Sequence, residues 1–189
     1  MNKKIISITA ILCVLFLLIY VPAKNKWKYS PVLTYVENTT YKEEILTLNP
    51  TENEIQLLAQ FIKHEAGNED VKAKLAVGLV ILNRTNSPNP EFPNKIDEVI
   101  KMPGYFALPE TGLETVEITE SDISIAKKVI NIFNEQTPLE DENGNNLIQA
   151  FYWYNPAYME SEDAIKNLEA TYPPLGQIGE RKFLAQANK

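Results

Sequence analysis

The chain is short of the residues that most hydrolytic and metal chemistry requires. It has one cysteine and one histidine in 189 residues. Cys13 lies inside an apolar N-terminal run, so the body carries no disulfide and no thiolate nucleophile. His64 leaves a Ser–His–Asp arrangement no choice of base and excludes a zinc site built on two histidines. No glycine-rich phosphate loop and no cluster of metal-ligand residues is present, so no cofactor is implied. Positive charge is also in deficit. Lys3 and Lys4 are the only charges in the first 23 residues, and the remainder holds 16 Lys and Arg against 25 Asp and Glu, a net −9. A body so acidic does not bind nucleic acid by electrostatics.

One long apolar run exists. After Lys3 and Lys4, Ile5 to Val21 carries no charge, with Ser7 and Thr9 the polar interruptions before Tyr20. Its length sits between a signal-peptide core and a membrane-spanning helix. Val21-Pro22-Ala23 offers a cleavage site, whereas Lys24, Lys26 and Lys28 just beyond it weigh against cutting. Residues 1–23 are therefore expected to be a signal peptide or an N-terminal membrane anchor. Residues 24–50, with scattered aromatics and no sustained period, are expected to be a tether.

The body, residues 51–189, reads as mostly helical. Thr51 followed by Glu54 forms a capping box that starts a helix ending near Ala66, with Ile55, Leu58, Phe61 and Ile62 on one stripe. At roughly 100° per residue, Glu65 falls on that stripe between Leu58 and Phe61. A carboxyl held against apolar side chains has its charged form disfavoured, as a general acid needs. A buried pair with a lysine, or a last-turn residue splayed into water, fits the position too. Gly67 is placed for a left-handed cap. A second helix runs from Asn68 or Glu69 to Arg84, with Glu69 and Asp70 in its first turn. Leu75 to Leu82 within it is apolar without a break, which predicts burial on all sides. A short helix near 95–102 and an exposed loop over 104–118 follow. A third helix begins at Thr119, capped with Asp122. Residues 141–146 form a turn, Leu147 to Tyr154 an aromatic strand, and Gln177 to Leu184 a second strand. The fold class is α+β, mainly helical, with a short β-hairpin.

The order of segments carries a resemblance. Glu65-Ala66-Gly67 is followed by Ala76-Val77-Gly78 running to Ile81-Leu82-Asn83-Arg84, then Phe92-Pro93-Asn94-Lys95-Ile96 and Pro103-Gly104 with Phe106. Ala150-Phe151-Tyr152-Trp153-Tyr154-Asn155-Pro156 and Ile178-Gly179 complete it. Over roughly residues 54–185 the chain resembles the catalytic domain of the SleB/CwlJ cell-wall hydrolases, the spore cortex-lytic family. The resemblance implies a small lysozyme- or lytic-transglycosylase-like domain. It also implies cleavage of peptidoglycan glycan strands between muramic acid and glucosamine, outside the cytoplasm, with Glu65 as acid/base. One carboxyl suffices for a lytic transglycosylase, because the substrate's C6 hydroxyl is the nucleophile. A water-using muramidase needs a second carboxylate, for which Glu69, Asp70, Glu110 and Glu114 are available. A non-catalytic wall-binding protein is the remaining class.

Tyr105, Tyr152, Tyr154 and Asn155 are the expected substrate-binding residues. Tyr152 and Tyr154 share one face of the strand, offering rings for stacking and hydroxyls for hydrogen bonds, while Phe151 and Trp153 face the core. Asn155 either meets a sugar or shapes the turn before Pro156. Arg84 either serves Glu65 or caps its helix. Tyr105 stands where the family commonly has Gln, and Arg181 where it often has His. His64, about 100° around the helix from Glu65, is expected at the rim. Charge does not draw this body to an anionic wall, so shape, stacking and hydrogen bonds carry recognition.

Overall fold

The computed structural model describes residues 47–109 and 112–187. The expected signal or anchor, most of the tether, and Glu110 lie outside them. Among the described residues no helix is long and apolar enough to cross a membrane. Residues 47–50 lie against the helical body: the Asn134 side chain donates to the Leu48 carbonyl and accepts from its N–H, both at 2.9 Å.

Helix α1 spans Glu52–Ala66, and Thr51 with Glu54 forms the full capping box. Helix α2 spans Val71–Thr85. Asp70 is its cap, accepting from Ala73 N at 2.8 Å, so the first turn itself holds no acid. Helix α3 is Ile96–Ile100. Helix α4, Glu120–Glu135, starts on the Thr119–Asp122 box. Every residue from Leu75 to Leu82 is buried, as an all-apolar helix requires. α1 and α4 pack on it and on one another. Gly78 makes room for side chains at this crossing. A Cβ there would come within 2.9 Å of Ile62 Cδ1 and both Val129 γ-methyls.

The sheet is antiparallel with order β1–β3–β2. β1 is Tyr152–Tyr154, β2 is Pro174–Ile178 and β3 is Arg181–Leu184. Trp153 pairs with Phe183 and Tyr154 with Lys182.

Several expectations need correction. Gly67 is right-handed, with φ −56°. Its need for glycine is room, because a Cβ would lie 2.4 Å from the Lys63 carbonyl oxygen. The 147–154 strand shrinks to Tyr152–Tyr154, because Leu147 N bonds back to Leu139 O at 2.8 Å and the chain turns before extending. The second strand is two, β2 and β3, reversed at Gly179, whose φ is +56°. The 104–118 segment packs Phe106, Leu108, Leu113, Val116 and Ile118 against the core. Helix α5, Glu162–Thr171, had no counterpart in the sequence reading.

Asp141 fastens the 141–146 turn to the sheet. Its Oδ1 accepts from Asn143 N and Asn145 N at 2.8 and 2.9 Å. Its Oδ2 accepts from Asn145 Nδ2 and Gln177 N at 2.8 and 3.1 Å. Gly176 lets β2 approach, since a Cβ there would sit 2.6 Å from Oδ2. The Asn145 side chain above all, then the backbone donors, outweigh burial and hold the carboxyl pKa at about 2. A carboxylate depressed on folding stabilises above its unfolded pKa, and the effect is lost as pH falls through the folded one. Asp141→Asn is therefore expected to lower the urea midpoint at neutral pH. The gap to the unsubstituted protein should close between about pH 4 and pH 2; a gap independent of pH would contradict the assignment.

Candidate functional site

Three segments meet at one cleft. The last turn of α1 supplies Glu65, and the link to α2 supplies Glu69 and Asp70. β1 and the 3₁₀ turn after it, Pro156–Tyr158, supply Trp153, Tyr154, Asn155 and Tyr158. The β2–β3 turn supplies Glu180 and Arg181. The space they enclose is about 620 Å³. A smaller cavity of about 130 Å³ is lined by Glu65, Arg84, Tyr105, Phe106, Ala107 and Trp153. Glu65 and Trp153 line both spaces, so the carboxyl stands with room on either side.

No hydrogen bond from a described residue reaches the Glu65 carboxylate. Burial dominates its titration and raises its pKa. Arg181 and His64 oppose that with positive charge, and Glu69 adds to it. Arg181 clamps the site. Its Nε donates to Glu69 Oε1 at 2.6 Å, its Nη2 donates to the Glu65 backbone carbonyl, and its guanidinium lies 5.8 Å from the Trp153 ring. A cation on the last carbonyls of α1 also complements the helix dipole.

The other acids of the cleft are engaged. Glu69 pairs with Arg181, Asp70 caps α2, and Glu180 accepts from Asn155 Nδ2 at 3.1 Å. Glu114 lies off the cleft wall, on the 3₁₀ turn Leu113–Thr115.

The tyrosines separate. Tyr105 is 42% exposed and lines the smaller cavity. Tyr154 lines the larger one with its hydroxyl already donated to Glu169 at 2.5 Å, and Lys182 supports that acid at 2.9 Å. Burial and this bond raise the Tyr154 pKa. Tyr152 lines neither space; its ring lies 4.2 Å from that of Tyr172 and 4.8 Å from the Arg84 guanidinium. Burial raises its pKa too. Asn155 shapes the turn, accepting from Ala157 N at 2.9 Å while reaching Glu180. His64 is exposed, with Nε2 at 2.9 Å from the Ala107 carbonyl oxygen.

Trp153, Tyr158 and Glu180 were not singled out from the sequence as site residues. The alternation put Tyr152 with Tyr154 toward the glycan and Trp153 toward the core, whereas the neighbouring Trp153 and Tyr154 both line the cleft and Tyr152 does not. Trp153 lies there because it stacks on Phe106, 5.5 Å and 20° between planes, with Phe61 edge-on at 6.2 Å. Tyr158, 85% exposed at the lip, carried only one signal, its place just after Asn155-Pro156.

The Cell Wall Hydrolase family profile matches residues 68–183, beginning just beyond Glu65. A spore cortex-lytic enzyme of Halalkalibacterium halodurans is 35% identical over 133 residues, covering 70% of this chain and 35% of that protein. One from Bacillus subtilis (strain 168) is 34% identical over 104 residues, covering 55% and 30%. The chain thus spans about a third of the length of these relatives. The catalytic domain of the Bacillus cereus SleB protein superposes with TM-score 0.55 at 27% identity, covering 75% of this chain and 96% of that one. The catalytic domain of a germination-specific lytic transglycosylase, SleB from Bacillus anthracis, gives 0.54 at 27%, covering 72% and 97%.

The raised Glu65 pKa has a consequence for stability. Below the ordinary value of 4.5 the group is neutral folded or unfolded; above its raised folded pKa the buried charge disfavours the fold. Glu65→Gln is expected to melt higher than the unsubstituted protein at neutral pH, with the two converging below about pH 4.5. A lower melting temperature at neutral pH would show that the charged form is stabilised here.

Proposed function

The chain belongs to the cell wall hydrolase family, and from that premise we propose that it cleaves peptidoglycan glycan strands between muramic acid and glucosamine as a lytic transglycosylase. One observation carries the reading: a carboxyl with raised pKa, to which no described residue donates a hydrogen bond, belongs to a residue that lines two adjoining spaces, the larger with room for a sugar ring and the smaller for a branch. Protonated Glu65 gives its proton to the glycosidic oxygen as the C1–O bond breaks. The carboxylate so formed faces the oxocarbenium carbon, then takes the proton of the C6 hydroxyl as O6 closes on C1. The acid is regenerated, no water is consumed, and the product ends in a 1,6-anhydro ring. Engagement of Glu69, Asp70 and Glu180 elsewhere favours this internal nucleophile over a water activated by a second carboxylate. The N-terminal segment would deliver the domain outside the cytoplasm, as a signal or an anchor, to cortex or vegetative wall.

Mass spectrometry of fragments released by the full-length chain tests the mechanism. Anhydro ends are expected, with turnover falling as pH rises through the raised Glu65 pKa, because the acid must start protonated. Glu65→Gln should lower the rate about 10² to 10⁴-fold. Reducing ends would move the case to hydrolysis, and no fragments from either wall type would favour a binding protein. Tyr158→Ala, which removes an exposed ring from the lip of the cleft, is expected to raise KM by about threefold to tenfold with kcat little changed. An unchanged KM would take Tyr158 out of the binding surface.

A further inference from the structure

Arg84 closes α2 and is 3% exposed, yet no carboxylate among the described residues pairs with it. Its Nε donates to the Phe151 carbonyl at 2.8 Å. The guanidinium lies 4.8 to 5.5 Å from the ring centroids of Tyr152, Tyr105, Phe106 and Phe92. Ring faces attract a cation but do not replace a full hydrogen-bond acceptor. Nη1 is the one buried side-chain nitrogen or oxygen among the described residues that has no hydrogen-bond partner. Burial lowers the group's pKa to about 10, with the phenols of Tyr152, Tyr105 and Tyr172 opposing it.

The same residue lines the 130 Å³ cavity that Glu65 and Trp153 also line. That volume equals about four waters at ~30 Å³ each, room for a branch of a sugar rather than a run of rings. Arg84 is not among the groups whose charge acts on the Glu65 carboxyl, so the two are not an ion pair. What links them is whatever fills the cavity. A carboxylate there would face Glu65, with Glu69, Asp70 and Glu180 in the adjoining cleft. A neutral carbonyl oxygen accepts from the guanidinium without that repulsion. Tyr105, the most exposed of the four rings, follows the Pro103–Gly104 turn and covers the approach.

Resting on the glycan-cleavage reading, we infer that Arg84 is a substrate-anchoring residue whose unpartnered Nη1 donates to the carbonyl oxygen of an acetamido branch on a sugar bound beside Glu65. Substrate would displace Tyr105 and complete the set of acceptors around the guanidinium that the Phe151 carbonyl begins. The anchoring fixes the sugar ring against the acid, so the residue acts on binding more than on the proton transfer.

The test uses the full-length Glu65→Gln protein, in which turnover is slowed enough for binding to be read. It is titrated calorimetrically with glycan fragments that have been de-N-acetylated and then re-acylated with either acetyl or thioacetyl groups. Both branches are neutral and similar in shape, but sulfur is a weak acceptor. The thioacetyl fragments are expected to bind roughly 10-fold more weakly. Adding Arg84→Lys should weaken the acetyl fragments by about 10- to 100-fold and bring the two ligands within about twofold of each other. Should that double variant not fold, by circular dichroism, the oxygen–sulfur comparison on Glu65→Gln decides alone. Equal binding of both fragments, or a preference that survives Arg84→Lys, overturns the anchoring role and leaves glycan binding standing. Failure of both fragments to bind overturns the glycan reading, and this inference with it.

Discussion

Asn83 and Arg84, at the end of α2, hold the helical core to the sheet by donating to backbone carbonyls. Asn83 Nδ2 reaches Ile148 O and Ala150 O at 2.9 and 2.8 Å, and Arg84 Nε reaches Phe151 O at 2.8 Å. These carbonyls sit just ahead of β1, in a stretch too irregular to satisfy them in a ladder. Buried carbonyls need partners, and a helix fixed on all sides by apolar packing is the most rigid source of donors. The position of β1 relative to α2 is set here, and with it the approach of Trp153 to Glu65. The cleft is thus a consequence of how the core helix ends.

The acid itself is set by opposing influences of the same environment. Burial disfavours its charge, Glu69 adds to that, and Arg181 works against it. Arg181 is held by both Glu69 and the Glu65 carbonyl, so its counter-charge is fixed in place. A guanidinium stays charged across the whole working range. His64 adds a second positive charge to the same side of the balance.

What the sequence made legible was local. Both capping boxes, Thr51 with Glu54 and Thr119 with Asp122, formed as read, because their partners lie three residues apart. The unbroken apolar run of α2 could only be buried. The failures were non-local. Pairing of β1 with β3 joins residues some thirty apart, and the turn at Gly179 is visible only once both strands are placed. α5 escaped notice although its apolar side is as well marked as that of α4, and it buries no residue fully. At the site, the place of Glu65 on the apolar side of its helix was legible from the stripe, and burial raises its pKa there. Trp153 was not, because its face is chosen by stacking on Phe106, from a segment that reads as a polar loop.

The acids that line the cleft have separate roles when followed individually. Glu69 is neutralised by Arg181, Asp70 is spent on a helix terminus, and Glu180 holds the Asn155 side chain that shapes the Tyr158 turn. The negative charges therefore serve as scaffold, presenting uncharged aromatic surface and one carboxyl with suppressed ionisation. Repulsion of anions, in turn, disfavours ligands that would bring their own carboxylates into the cleft. Aromatic faces and carbonyl-seeking donors remain for the neutral parts of a glycan strand. On the glycan-cleaving reading proposed above, that division fits a domain of net negative charge to a wall polymer through its sugar rings rather than through the polymer's charge.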